Sequence, residues 1–457
     1  MTSGRDRLGG VPPRLVATLA FGTTLNPLNS SMIAVALVSL QGEFQVSIAD
    51  VTWLVSGFYV AAAVGQPLMG RLIDQFGPRR LFLFGLALVL ATSAVMPFAP
   101  GLWWLVALRV VQAFGTSTAY PAAMTLIRSA APAGGTPAGA LGAISMANSS
   151  CAALGPVLGG FLVALAGWPA VFVVNVPLTV IGLILAWRVL PRTRPEPAQR
   201  HQPIDLLGIL LFTATLISLL IFILSFAAGP RWWLLPVIIA AGAGLVLWER
   251  RVAAPFLDIR GLIANRPLTS VLAQQGAINL TFYSMFFSLP LWLESVRGFG
   301  SDAAGLMILP VAGLGIATVP LAARMIRRVG SRPALLLGSC VLLGATLLIQ
   351  LLGDASPIAL IILLTLAFGI PNGFNNLGLQ TSLYDAAPPD RTASAAGLFQ
   401  TFRYLGAILA TAMIGLIFER DLSSSGLHHL GWLMTGGAVV VLLLALLIRR
   451  PVRESER

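Results

Sequence analysis

Gly70-Arg71-Leu72-Ile73-Asp74-Gln75-Phe76-Gly77-Pro78-Arg79-Arg80 is a charged turn set between two long apolar runs, 51–71 and 80–98. Each run has close to the ~20 residues that cross a bilayer core at about 1.5 Å per residue. Outward from this turn the same alternation of apolar run and polar turn continues along the chain. Fourteen runs are expected, near 14–40, 51–71, 80–98, 101–127, 137–165, 168–188, 205–226, 232–249, 267–294, 303–323, 333–352, 357–383, 392–418 and 427–448. They read as helices, because a segment in lipid must satisfy its own backbone hydrogen bonds and the alternation of a membrane β-barrel is absent. The expected class is an all-α polytopic membrane protein with 14 transmembrane helices.

Composition agrees. Of 457 residues, 57% are hydrophobic and 10% charged, against about 25% charged in ordinary soluble domains. The net charge of +12 does not point to nucleic acid, because its placement follows topology. Every basic residue is Arg, and with a cytoplasmic N-terminus most fall on cytoplasmic ends and loops: Arg5, Arg7 and Arg14; Arg188, Arg192, Arg194 and Arg200; Arg324, Arg327, Arg328 and Arg332; Arg449, Arg450 and Arg453. External loops then hold Arg231, Arg297 and Arg420. That asymmetry places both termini in the cytoplasm of a bacterial inner (plasma) membrane protein. Trp53, Trp103, Trp104, Trp168, Trp232, Trp233 and Trp292 are expected in an aromatic belt at the outer interface. The first run is too long for a signal h-region and is read as an uncleaved helix. Cys151 and Cys340, both in apolar runs, read as packing residues.

The longest polar interruption after six runs is 191–205, with the sequence PRTRPEPAQRHQP, and a second basic loop covers 249–267. The expected organisation is a six-helix bundle (1–190), a linker with two additional helices (191–266), and a second six-helix bundle (267–457). The opening turn has a degenerate partner in Ala323-Arg324-Met325-Ile326-Arg327-Arg328-Val329-Gly330-Ser331-Arg332. Both join the second and third helices of their halves, which suggests two pseudo-symmetric bundles around a central pair.

The stretch from Gly70 to Arg80 resembles the loop motif of the major facilitator superfamily, G-x-L-x-D-x-x-G-R-K/R. Physically, Gly70 permits close helix approach, Gly77 and Pro78 shape the turn, and Asp74 can pair with Arg71, Arg79 or Arg80 and cap a neighbouring helix. Arg109-Val110-Val111-Gln112-Ala113-Phe114-Gly115 is similar to the family's R-x-x-Q-G motif, with Ala113 for the first Gly. Gly155-Pro156-Val157-Leu158-Gly159-Gly160 resembles its antiporter motif, although Cys151 stands where an earlier Gly is usual. Gly167-Trp168-Pro169-Ala170-Val171-Phe172-Val173-Val174-Asn175-Val176-Pro177 resembles a motif of the fourteen-helix drug:proton antiporter branch. So does the pattern from Pro388 through Arg391, Ala396 and Gly397 to Arg403 and Gly406. The resemblance implies an exporter of small organic molecules (multidrug-type efflux) working by alternating access and coupled to protons.

One departure matters. Leu28-Asn29-Ser30-Ser31 and the residues after it match that branch's first-helix motif, but Asn29 replaces the Asp taken as its proton or cation site. An amide carries no titratable proton. No apolar run shows a carboxylate at mid-depth. Arg109 and Arg403 are the charges that do lie within runs, and an Arg at the bilayer centre costs at least ~2.5 kcal/mol on insertion scales. Arg109, about seven residues or roughly 10 Å from its helix end, either contacts substrate or is a structural Arg held by Gln112, Gln66 or carbonyls. The candidate substrate and coupling residues are Asn29, Gln66, Arg109, Gln112, Gln275, Asn376 and Arg403. The conformational set is Gly70, Arg71, Asp74, Gly77, Arg79, Arg80, Gly155, Pro156, Gly159 and Gly160. Two cations without an acid would favour neutral or anionic substrates over lipophilic cations. Expected partners are a small amphipathic molecule, protons and the bilayer, with no nucleic acid; no cofactor or metal is expected. His201, His428 and His429 lie in loops, so no nucleophile–base pair suggests an enzyme. The alternatives are a dedicated exporter of one metabolite, lipid or siderophore with different coupling, and a non-transporting receptor or scaffold.

Overall fold

The computed structural model describes residues 8–132, 137–192, 205–225, 229–252, 255–418 and 421–447. Most of the linker 191–205, the residues Arg5, Arg7, Arg194, Arg200, His201 and Arg420, and the terminal arginines from 449 onward lie outside them. Among the described residues the regular structure is helix, without a strand. The long helices are α1 (Pro13–Phe44), α2 (Trp53–Phe76), α3 (Pro78–Val95), α4 (Leu102–Thr116), α5 (Ala119–Ala130), α6 (Ala138–Ala166), α7 (Asn175–Val189), α8 (Leu206–Leu224) and α9 (Leu234–Glu249). They continue as α10 (Arg266–Ser295), α11 (Ser301–Val329), α12 (Ser331–Leu348), α13 (Ile358–Ala386), α14 (Thr392–Phe418) and α15 (Ser424–Leu447). Among the described residues, ten segments are long and apolar enough to cross a membrane. Large side chains such as Leu165, Trp187, Leu210 and Leu447 stand exposed on them, a surface suited to lipid and not to water.

Two of the expected runs lose a helical hydrogen bond without leaving the helical backbone: 101–127 at Ser117–Thr118, between α4 and α5, and 168–188 at Val174, with Pro169–Val189 still one apolar span. Both places have a proline behind them. Pro121 and Pro177 have no N–H to return to the carbonyls of Ser117 and Val173, four residues earlier. At the second the Asn175 amide donates to Val171 O at 3.0 Å.

The chain forms two compact units. The first comprises Met1–Ser218, Pro236–Ile259 and Ala387–Tyr404; the second comprises Leu219–Leu235, Arg260–Ala386 and Leu405–Arg457. In the first unit α1 packs on α6 through small residues. A Cβ on Gly159 would sit 2.8 Å from Met32 O, and one on Gly155 would overlap Ser31 Oγ. Gly85 and Gly115 are juxtaposed on α3 and α4, each with its missing Cβ within 3 Å of the other's carbonyl oxygen. Small residues allow such contacts where lipid supplies no hydrophobic drive between helices. Leu28, Met32, Ile33, Leu54, Leu102, Leu105 and Phe172 form a buried core there.

In the second unit, Gly369 and Gly373 of α13 lie against the backbone of α11 at Val311 and Gly315, and Gly406 of α14 lies against Gly276 of α10. Trp292 corrects the aromatic-belt expectation. It is fully buried, donates its indole N–H to Ser424 Oγ at 3.0 Å, and carries the Arg297 guanidinium over its ring. Trp53, Trp103, Trp104, Trp232 and Trp233 are exposed. Gly77 and Gly330, which end α2 and α11, share a left-handed backbone with φ of 95° and 89°.

Candidate functional site

Two polar constellations stand out, both inside the first unit. The first is centred on Arg109, which is 0% exposed. Its Nη1 donates to Asn29 Oδ1 at 3.0 Å and to Gln112 Oε1 at 2.9 Å, and its Nε to Leu54 O at 3.4 Å. The Gln112 amide in turn donates to Ser93 Oγ at 2.9 Å. The Phe58 ring lies 4.2 Å from the guanidinium carbon, a cation–π contact that adds favourable interaction in a dry site. One guanidinium thus ties α1, α2, α3 and α4 together. Helical spacing makes this feasible, since Arg109 and Gln112 are three apart and share a face of α4.

The network is incomplete in an informative way. Arg109 Nη2 and Asn29 Nδ2 have no hydrogen-bond partner among the described residues. Both are donors. An aspartate at position 29 would offer two acceptor oxygens and a countercharge; asparagine offers one oxygen and an extra donor. Gln112 and Asn29 both touch Arg109, as do backbone atoms of α2, whereas Gln66 does not enter the set. Gln66 is buried on α2 with Oε1 unpartnered.

Gln275 and Asn376 belong to the second unit. Gln275 is buried, its carbonyl accepting from Asn279 at 2.8 Å, and Asn376 donates to Asn372 at 2.7 Å. Their neighbour Asn375 is fully buried with neither amide atom partnered. Arg403 is partly buried on α14, close enough to Tyr120 for its charge to be felt there. Beside it Tyr404 packs tilted against Tyr59, with ring centroids 5.6 Å apart, and donates its hydroxyl to Asn26 Oδ1 at 3.3 Å.

The second constellation surrounds the turn 70–80. Asp74 reaches the start of α14. One carboxylate oxygen accepts from Ala393 N at 3.0 Å, and the other from Ser394 N at 2.9 Å and Ser394 Oγ at 2.6 Å. These are among the N–H groups that a helix leaves unsatisfied at its first turn, where the helix dipole also favours an anion. Gly70 makes the reach feasible, since a Cβ there would stand 2.4 Å from Ala393 O. Gly397 answers from α14, where a Cβ would stand 2.3 Å from Gln66 O, and Thr401 Oγ1 donates to Ala63 O at 2.9 Å.

The arginines of the turn divide their roles. Arg71 lies in the field of Asp74, Glu249, Asp205 and Arg391. Arg79 turns to α7 and donates to Trp187 O at 2.7 Å, and Arg80 is exposed. In the antiporter-like stretch, Gly155 and Gly159 are the close-approach residues. Pro156 faces outward, and Gly160 has room, with Val35 Cγ1 at 3.7 Å.

Sequence reasoning did not single out Arg128 of α5. Its Nη1 donates to Ala387 O at 2.8 Å and Thr392 Oγ1 at 2.7 Å, bracketing the loop that leads into α14. An Arg in the last turn of a helix is ordinary, so nothing in the sequence marked it. Ser93 and Phe58 were missed too, because their roles arise only where α2 and α3 pack against α4.

Comparison with known proteins shows where such a chain occurs. The sequence profile of the Major Facilitator Superfamily matches residues 19–411. An uncharacterized MFS-type transporter of Bacillus subtilis is 36% identical over 439 residues, covering 93% of this chain and 95% of its own length. The tetracenomycin C resistance and export protein of Streptomyces glaucescens is 28% identical over 418 residues, covering 90% of this chain and 76% of its own. The methylenomycin A resistance protein of Streptomyces coelicolor is 27% identical over 463 residues, covering 99% of this chain and 95% of its own.

Proposed function

The chain belongs to the Major Facilitator Superfamily, and from that premise we propose that it exports small organic molecules across a bacterial plasma membrane by alternating access. Fourteen crossings, divided six, two and six around 191–266 with both termini cytoplasmic, would carry the two halves. The observation that carries alternating access is the Asp74 clasp. A carboxylate in the last turn of α2 holds two backbone amides and the Ser394 hydroxyl at the start of α14, a contact strong enough to define a state and local enough to break. Export is supported by relatives whose names record antibiotic resistance and export.

The Arg109 network is the proposed coupling and substrate-sensing centre, with Gln66, Gln275, Asn376 and Arg403 as further cavity residues. A buried guanidinium with its own Nη2 and the neighbouring Asn29 Nδ2 unpartnered favours neutral or anionic amphipathic substrates over lipophilic cations. Proton coupling is the leading energy source. Asn29 supports the second reading, a dedicated exporter with different coupling, because that position cannot carry the proton.

The test is gradient-driven uptake into inverted vesicles, comparing wild type with Asn29→Asp on tetracenomycin C, fluorescein and ethidium. Wild-type uptake that requires the pH gradient supports proton antiport with a coupling group other than position 29. Uptake gained only in Asn29→Asp would remove the proton-antiport assignment. Ethidium transported in preference to fluorescein would count against the substrate class.

A further inference from the structure

The inserted pair α8–α9 is connected to the clasp by a chain of polar contacts. Asp205 caps α8 by accepting from Gly208 N at 2.8 Å. The same carboxylate accepts from the Trp248 indole at the end of α9 (2.8 Å) and from Phe256 N (3.2 Å). Glu249 accepts from Leu257 N at 2.9 Å. These bonds fold the strand of chain at 255–258 back onto the base of the pair, and the Phe212 and Phe256 rings pack there with centroids 5.5 Å apart.

The next residue, Asp258, meets Arg391 at 2.5 Å. Arg391 closes the short turn Pro389–Arg391 that enters α14. Two residues later comes Ala393, whose N–H Asp74 holds. The entry to α14 is therefore gripped by Asp74 from α2, by Arg128 from α5, and by Asp258 from the segment after α9. Charge balance makes the third grip matter. Arg391 is near enough to Arg71 for repulsion between them, and Arg71 lies beside Asp74. Asp258 neutralises Arg391 at that point.

We infer that Asp258 and Arg391 are positioning residues through which the inserted helix pair sets how readily the Asp74 clasp opens. The inference rests on the clasp being a conformational latch, and its test separates the two. The pair is about a third exposed, 35% and 36%, so its strength is that of a partly solvated bridge. Its loss should change the open-to-closed ratio by about two- to fivefold.

The experiment is pulsed electron paramagnetic resonance on the full chain in nanodiscs, with nitroxides on Ser129→Cys and Val329→Cys in a Cys151→Ser, Cys340→Ser background. Asp258→Arg and Arg391→Asp should each move the distance distribution toward the longer, open population. The charge-swapped double variant should return it toward wild type, and Asp74→Asn should move it further than either single change. If neither single change moves the ratio while Asp74→Asn does, the inserted pair does not position the clasp and the latch stands without it. If the singles move the ratio and the swap fails to restore it, the pairing is not the cause and the inference is overturned. If Asp74→Asn also has no effect, latch and inference fall together.

Discussion

Arg109 shows what one substitution does to a buried charge. Desolvating a guanidinium is expensive, and a countercharge with full hydrogen bonding normally offsets it. Here the offset comes from neutral groups, namely the Asn29 and Gln112 amide oxygens, the Leu54 carbonyl and the Phe58 face. Asn29→Asp supplies the missing charge and removes the unpartnered Nδ2, at nearly unchanged volume. It should stabilise the purified protein by roughly 1–3 kcal/mol, read as a higher unfolding midpoint in detergent. An unchanged or lowered midpoint would mean that the guanidinium is already satisfied. The three principal members of this network were readable in the sequence, because Asn, Arg and Gln in apolar runs need partners. Ser93 and Phe58 were not, because their meaning arises only when α2 and α3 face α4.

At the scale of the element, proline and glycine explain most of the geometry. The sequence marked the apolar runs well, and Pro121 and Pro177 stand where two of them lose a helical hydrogen bond. In lipid a broken turn is tolerated when neighbours or side chains satisfy the freed carbonyls, so proline alone does not say whether a helix bends or divides. The contact between α2 and the first half of α14 was likewise illegible, because a pair distant in sequence leaves no local periodicity. It depends on Gly70 and Gly397, each facing a carbonyl closer than any Cβ allows. Gly70→Val and Gly397→Val should each lower transport at least about tenfold and destabilise by about 1–3 kcal/mol. Gly160→Ala, whose Cβ would make only an ordinary contact with Val35 Cγ1 at 3.7 Å, should leave both unchanged. Comparable transport in all three at equal expression would show that the close approach is dispensable.

For the whole molecule the sequence carried the class and the family resemblance, because bilayer thickness sets run length and charge sets orientation. Asp258 escaped notice, since in a basic loop an isolated acid looks like solvated surface. Orientation has its own test in intact cells, using a membrane-impermeant maleimide on single cysteines in a Cys151→Ser, Cys340→Ser background. Ala355→Cys should label, while Ser129→Cys and Val329→Cys should label only after lysis. The reverse pattern would invert the topology.

The corners at Gly77 and Gly330 lead somewhere else. The first loop has Asp74 where its degenerate partner has Arg327, so the chemistry of the two turns has diverged while the backbone has not. Nothing lies within 4 Å of the position a Cβ would take on Gly330, so room is not what restricts that site. Handedness is. An L-alanine there would be strained by about 1 kcal/mol, whereas its D-enantiomer, placed by semisynthesis, would sit without strain and stiffen the corner. The second turn has exchanged its acid for a base and kept a mirror-image bend that only an achiral residue, among those the ribosome supplies, takes up freely.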